Sequence, residues 1–228
     1  MHTIKLAVFD MAGTTVNENN IVYKTVQKVI NDLGYTVSLD QVLEYGAGKE
    51  KHQAITDVLT HCTASNDVKK EAAVAFAAFK PALELAYDTL EINTFDGMLA
   101  FFKALRKQDI HVVLNTGYDA KTATKLLAKL EWNVGEDIDM LITADDVANG
   151  RPAPDMIQKA MDAFGVTDSA EVLKAGDSEI DIIEGKNANC GLTVGVLSGA
   201  QTREQLEKAN PDYILNTLTE LEALLIKS

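Results

Sequence analysis

Beyond residue 110 the chain alternates short apolar runs with stretches of helical periodicity, and that alternation limits its architecture more than any other feature. The runs are His111 to Leu114, Met140 to Thr143, Val172 to Ala175, Thr193 to Leu197 and Tyr213 to Leu215, with helical patterns such as Ala120 to Leu130 and Asp155 to Phe164 between them. An earlier run, Ile4 to Phe9, stops at Asp10 and is followed by a Gly-Thr-Thr turn. Short, continuously apolar runs suit parallel strands buried on both faces. Strands alternating with helices predict an α/β protein with a Rossmann-like, doubly wound parallel sheet, whose ligand site lies beyond the carboxyl ends of the strands.

The interval from about residue 17 to residue 90 breaks the pattern. Ile21 to Leu33, Lys49 to Thr60 and Asp67 to Leu90 carry helical periodicity with no strand run among them. The expected organisation is therefore a discontinuous core, 1–16 and 91–228, with an α-helical insertion at 17–90. Inserted after the first strand, the helices are expected to act as a cap over the catalytic edge of the sheet. The apolar positions of Ile21 to Ile30 offer a face through which two caps could form a homodimer.

Charge narrows the function. Lys and Arg number 21 against 34 Asp and Glu, a net charge of -13. Such a surface repels phosphate backbones and anionic lipid, which argues against nucleic-acid and membrane partners. A small anionic substrate would need local positive charge at its site. Cys62 and Cys190 are the only cysteines, with no CxxC spacing, and are expected to be reduced, buried and small-hydrophobe-like. No run resembles a secretory leader or a membrane span, so a cytoplasmic location is expected.

Candidate chemistry collects at the strand ends. Asp10 stands at the tip of the first run, ahead of Ala12, Gly13, Thr14 and Thr15. Asn115-Thr116-Gly117-Tyr118 follows the second and offers a hydroxyl and approachable amides for a phosphoryl group. Gly150-Arg151-Pro152 places a cation on a stiff loop, and Asp177 and Asp181 are two carboxylates, four apart, suited to magnesium. Each piece alone reads equally well as a cap or a turn. Together, in this order at successive strand ends, they point to a catalytic site.

With these segments the sequence resembles the haloacid dehalogenase superfamily of hydrolases, and within it the phosphonatase and phosphonatase-like branch. The resemblance rests on Phe9 to Val16, Thr116 to Tyr118, Asp145 to Pro154 and Ala175 to Gly185, with Val194 to Gly199 weaker. It implies Asp10 as the nucleophile that forms an aspartyl-phosphate. It also implies Mg2+ held by Asp10, the Ala12 carbonyl and Asp177, with Asp181 as an outer carboxylate of the metal site. Thr116, Gly117 and Arg151 would grip the phosphoryl oxygens, with Tyr118 beside them. A metal and a cation are physically required there, since a carboxylate and a phosphoryl dianion repel each other.

Ala12 stands where ordinary phosphatases of this superfamily carry a second Asp as general acid, and alanine has no proton to give. Phosphonatases resemble this sequence in having Ala there. Cleaving a carbon-phosphorus bond calls for an electron sink, which a lysine imine with the substrate aldehyde provides. Gly46-Ala47-Gly48-Lys49-Glu50-Lys51-His52 resembles the phosphonatase Gly-x-x-Lys-x-x-His segment, which implies Lys49 as the imine former with His52 beside the substrate. Read as the start of a helix, the segment places Lys49 in a first turn, where the macrodipole and desolvation both favour the neutral amine. Tyr45 and Asn20 depart from the Met and Cys of phosphonatases proper.

Three functions stay open on the sequence. The first is hydrolysis of phosphonoacetaldehyde to acetaldehyde and phosphate through Asp10, Mg2+ and a Lys49 imine. The second is a magnesium-dependent phosphatase acting on a phosphate ester or another phosphonate without the imine. The third is a non-catalytic protein that binds a phosphoryl ligand.

Overall fold

The structure is a computed structural model that describes residues 3–47, 49–89 and 91–226. The chain divides into two compact units, one running up to Asn17 and resuming at Ile92, the other spanning Glu18–Glu91. The first contains a parallel six-stranded sheet built from β1 (Leu6–Asp10), β4 (His111–Asn115), β5 (Met140–Ile142), β6 (Val172–Gly176), β7 (Leu192–Val196) and β8 (Tyr213–Leu215). A separate antiparallel ribbon pairs β2 (Val16–Asn17) with β3 (Asn93–Thr94), a feature the apolar pattern does not announce because each strand is two residues long. The helices of this unit are α5 (Met98–Arg106), α6 (Ala120–Lys129), α7 (Asp155–Phe164), α8 (Glu179–Asn187), α9 (Arg203–Lys208) and α10 (Glu222–Leu225).

Strand order is β5-β4-β1-β6-β7-β8, so the first strand in sequence lies inside the sheet and the chain order reverses around it. All five residues of β1 are buried. Alternation sends them to opposite faces. Leu6 and Val8 join a core cluster with Met156, Ile157 and Ala160 of α7. Phe9 points the other way, its ring 5.8 Å from Phe101 and 6.1 Å from Phe102 of α5. Met98, Phe101, Phe102 and Leu105 form the buried stripe of α5, and Trp132 packs edge-on against Phe102. Register carries the site: Asp10 pairs with Asn115 on one side, and on the other Phe9 pairs with Ala175, one residue before Gly176. The residues that follow β1, β4 and β6 therefore emerge together at one edge.

The second unit holds α1 (Ile21–Asn31), α2 (Leu39–Gly46), α3 (Lys51–Cys62) and α4 (Val68–Thr89). The apolar pattern misses α2, a short helix opened by a Ser38–Gln41 capping box. It also starts α3 too early: Glu50 is its N-cap, accepting from the amides of His52 and Gln53, so Lys49 precedes the helix. Gly48 and Leu90, which the expected segments included, lie outside the described residues. In α4 the buried positions Ala72, Ala75, Phe79, Leu83 and Tyr87 recur every three or four residues, while Pro81 sits on the exposed side. There the carbonyl that loses its partner to proline faces water.

The apolar face of α1 is used within this unit. Val26, Val29 and Ile30 are buried and α1 packs along α4, so the face expected to join two caps is covered by the chain itself. The cysteines are free, and both are partly exposed rather than buried. Among the described residues no helix is long and apolar enough to cross a membrane.

Asn20, at the N-cap of α1, has a left-handed backbone and makes no side-chain cap. Glu18 substitutes, its carboxylate accepting from the Val22 amide at 3.1 Å and the Tyr87 hydroxyl at 3.3 Å. Burial pushes its carboxyl up to about 7, against the pull of those hydrogen bonds. The folded state thus holds a proton that the unfolded chain releases, and Glu18 costs stability as pH rises from about 4.5 to about 7. Glu18→Gln keeps both acceptor contacts without the charge. Thermal denaturation is expected to show the variant more stable than the parent near pH 8 and equal to it near pH 5.

Candidate active site

Four buried carboxylates, the buried Lys174 and the partly buried Arg151 meet where β1, β4 and β6 end. Asp10 is 4% exposed, Asp177 7%, Asp181 1% and Glu184 0%. Arg151 Nη1 bridges Asp10 Oδ1 at 2.6 Å and Asp181 Oδ1 at 2.7 Å. Lys174, 0% exposed, lies with its Nζ 3.1 Å from Asp181 Oδ1, 3.1 Å from Glu184 Oε2 and 2.6 Å from Asn115 Oδ1. Asn115 Nδ2 in turn donates to Glu184 Oε1 at 2.8 Å.

The fold accounts for each position. Asp181 is the third residue of α8 and completes a capping box, its Oδ2 accepting from the Ser178 hydroxyl at 2.7 Å and amide at 3.3 Å. Asp177 Oδ2 accepts from the Ala200 amide at 2.6 Å, in the loop after β7. Gly13 has φ +76°, and a Cβ there would lie 2.7 Å from Gly199 Cα and against the Asp177 carboxylate. Only glycine lets the loop after β1 close on Asp177. Ser198 ties that loop down by donating to the Gly13 carbonyl at 2.7 Å. Ala12 bridges to Val16 within the same turn.

Thr116 is buried directly after β4, its hydroxyl accepting from the Tyr118 amide at 3.2 Å. A Cβ on Gly117 would come 3.3 Å from Arg151 Nη2, which places that loop against the guanidinium. Tyr118 is partly buried and its carbonyl accepts from the Ala144 amide. Asp10, Ala12, Thr116, Gly117, Tyr118, Arg151, Asp177 and Asp181 therefore all belong to one edge of the sheet-bearing unit.

Lys49 and His52 lie in the other unit. Lys49 Nζ is ion-paired with Asp57 Oδ2 at 2.5 Å and its side chain is 41% exposed. Lys49 precedes α3 rather than sitting in its first turn, and it is half in water. Partial burial of Asp57 works the other way, but the hydrogen bonds from Lys49 and Gln53 hold its carboxyl below the ordinary value. The exposed His52 stands edge-on to Phe76 at 5.2 Å.

Electrostatics separate the carboxylates. Burial pushes Asp10 up to about 6, with Asp181 adding and Arg151 and Lys174 opposing. Asp177 is raised well above the ordinary range by burial and by the charges of Asp10 and Asp181. Asp181 is lowered, since Lys174 and Arg151 outweigh its burial. Ligand oxygens of Asp10, Asp177 and Asp181 lie within 4.8 Å of one another, a hard-oxygen donor set that fits a magnesium ion. Asp181 already takes two donors on each oxygen, from Lys174 and Arg151 on one and Ser178 on the other. That leaves Asp10 and Asp177 as the carboxylates with an oxygen to give to a cation, and Asp181 as the one that orients Arg151.

Lys174, Asn115 and Glu184 are members of this centre that the motif reading assigned no role. The available signal was a lysine inside the otherwise apolar run Val172 to Ala175.

The haloacid dehalogenase-like hydrolase family matches residues 7–195. A phosphonoacetaldehyde hydrolase of Latilactobacillus sakei is 29% identical over 266 residues, covering 100% of this chain and 97% of the relative. The pyrophosphatase PpaX of Halalkalibacterium halodurans is 27% identical over 219 residues, covering 96% and 95%. The crystal structure of a phosphonoacetaldehyde hydrolase-like protein from Oleispira antarctica superposes with a TM-score of 0.80 at 23% identity, over 97% of this chain and 91% of that one. With a buried acidic centre at the edge of its parallel sheet and a family match over residues 7–195, the chain belongs to the haloacid dehalogenase-like hydrolases.

Proposed function

We propose that this hydrolase is a phosphonatase that cleaves the carbon-phosphorus bond of phosphonoacetaldehyde, giving acetaldehyde and phosphate. Ala12 carries the reading: beside the nucleophile, where a leaving alkoxide would need an acid, there is a methyl group and no proton. A carbon leaving group needs an electron sink instead.

In this mechanism Thr116, the Gly117 amide and Arg151 hold the phosphoryl oxygens, and Tyr118 lines the same edge. Asp10, the Ala12 carbonyl and Asp177 would hold a magnesium ion, whose charge would offset the repulsion between nucleophile and phosphoryl group. Lys49 leaves Asp57, condenses with the substrate aldehyde and releases water, forming a protonated imine, with His52 beside the substrate. An Asp10 oxygen then bonds to phosphorus as the carbon-phosphorus bond breaks, its electron pair moving into the imine to give an enamine. Water cleaves the aspartyl-phosphate to free phosphate. Protonation of the enamine carbon and hydrolysis of the imine release acetaldehyde and return Lys49. The 17–90 insertion serves as the cap that excludes water during these steps.

Two observations favour a second reading, a magnesium-dependent phosphatase for a phosphate ester or another phosphonate. Lys49 is engaged by Asp57, and the PpaX relative covers nearly the whole chain. In that reading Lys49 has no chemical step.

Asp10→Asn is expected to fold like the parent and to lose phosphate release by more than about a thousandfold, because the amide is nearly isosteric but a poor nucleophile. Retained turnover would take the nucleophile's role from Asp10.

Borohydride added with phosphonoacetaldehyde is expected to inactivate the protein and leave a stable mass adduct on the peptide carrying Lys49. Lys49→Arg should abolish that cleavage while phosphate still binds. An unlabelled protein with an active Lys49→Arg variant would select the phosphatase reading.

Without metal, Asp10 holds a proton between about pH 4 and about pH 6 that the unfolded chain releases, so its contribution to stability falls as pH rises through that window. Magnesium competes with that proton. The gain in melting temperature on adding magnesium should be larger near pH 7.5 than near pH 5, and an equal gain at both would place the ion elsewhere.

A further inference from the structure

We propose that Lys174 is a positioning residue for phosphoryl binding, clamping Asp181 in the orientation from which Asp181 aims Arg151 at the reaction centre. The inference rests on the phosphoryl-site reading above and is independent of which phosphonate or phosphate is the substrate.

Lys174 is in β6, in register with Val8 of β1, and Asp10 lies two residues beyond Val8. Alternation therefore puts Lys174 on the same sheet face as Asp10 and its register partner Asn115. The position is fully buried, in a strand whose neighbours Leu173 and Ala175 are apolar. Sheet stability does not call for a lysine there. Well-packed apolar residues in place of a buried ion pair are often neutral or stabilising. What the ammonium does is donate to Asn115 Oδ1, which links it through Asn115 to Glu184, and lie in ion-pair contact with Glu184 Oε2 and with Asp181 Oδ1 at 3.1 Å each.

That oxygen is the one that accepts from Arg151 Nη1. Ser178 holds the other oxygen of the same carboxylate through its hydroxyl and amide. With donors on both oxygens Asp181 cannot rotate, and the guanidinium it holds stays 2.6 Å from Asp10 Oδ1. Without Lys174, Asp181 Oδ1 has Arg151 as its one remaining described partner, and the orientation of the carboxylate rests on the Ser178 hydrogen bonds to Oδ2 alone, so the Oδ1–Arg151 pair is held less tightly. Displacing a phosphoryl clamp by about 1 Å is enough to cost a large part of its effect.

The test is inorganic phosphate binding, measured by calorimetry in magnesium, to Lys174→Met/Glu184→Gln. This pair of changes keeps the net buried charge and removes the clamp. Phosphate affinity is expected to fall by at least about fivefold, the scale of one misdirected charge-assisted hydrogen bond, while magnesium affinity stays within about twofold. In an Arg151→Ala background the same changes should cause no further loss, because their effect passes through Arg151. Unchanged phosphate affinity, or losses that multiply with those of Arg151→Ala, would overturn the proposal. Should the double variant not fold, Asn115→Ala carries the same test: it removes the shortest hydrogen bond of Lys174 without altering charge, and parental phosphate affinity there would overturn the proposal equally. A parent protein that binds no phosphate in magnesium would sink the phosphoryl-site reading and this proposal together, whereas parental binding preserved in the variants sinks the role of Lys174 alone.

Discussion

The bridge from Asp10 through Arg151 to Asp181 is the interaction around which this molecule is arranged. Carboxylates this deeply buried are tolerated only when paired, and Arg151 and Lys174 supply the pairing. Four acids and two bases still leave the centre acidic. A divalent cation is the natural complement, and it reconciles a strongly acidic chain with an anionic substrate. The positive charge such a substrate needs is concentrated at one sheet edge rather than spread over the surface.

Much of this was legible in the sequence because backbone physics writes it in a simple alphabet. The buried parallel strands are nearly continuous apolar runs, and Tyr213–Leu215 and Asp155–Phe164 have the bounds their patterns predict. Asp10, Thr116 and Asp177 stand where strands end, and Arg151 lies on the loop between β5 and α7, at the edge where a doubly wound sheet presents its ligand site. The rest required three dimensions. Which side of β1 each later strand takes is a matter of crossover, so the contact of Asn115 with Lys174 and Glu184 has no local signature. The short helix α2 is capped by Ser38 but buries only Val42 and Gly46, too little for a periodic stripe. Lys49 was misplaced for a related reason: Glu50, an unremarkable residue in a charged stretch, caps α3 and leaves the lysine outside it.

The two units hold their candidate residues in different environments. The sheet edge offers oxygen donors and cations already engaged with one another, so little reorganisation is needed for them to receive charge. Lys49, by contrast, is a half-exposed amine in an ion pair with Asp57, and using it as a nucleophile means breaking that pair first. The identity of the leaving group at phosphorus, carbon or oxygen, decides whether that step is ever needed.

The central place of β1 also shapes how the chain comes to be. As synthesis proceeds, Leu6–Asp10 leaves the ribosome well before its neighbours His111–Asn115 and Val172–Gly176. Through that interval the strand has two unsatisfied edges and an apolar character, which makes it a candidate for mispairing. The helices of Glu18–Glu91 pack on one another, α1 and α3 each against α2 and α4. The nascent chain thus has a run of helices with local partners, joined to a strand that waits, and Asp10 reaches its place in the sheet only when the last of the flanking strands arrives.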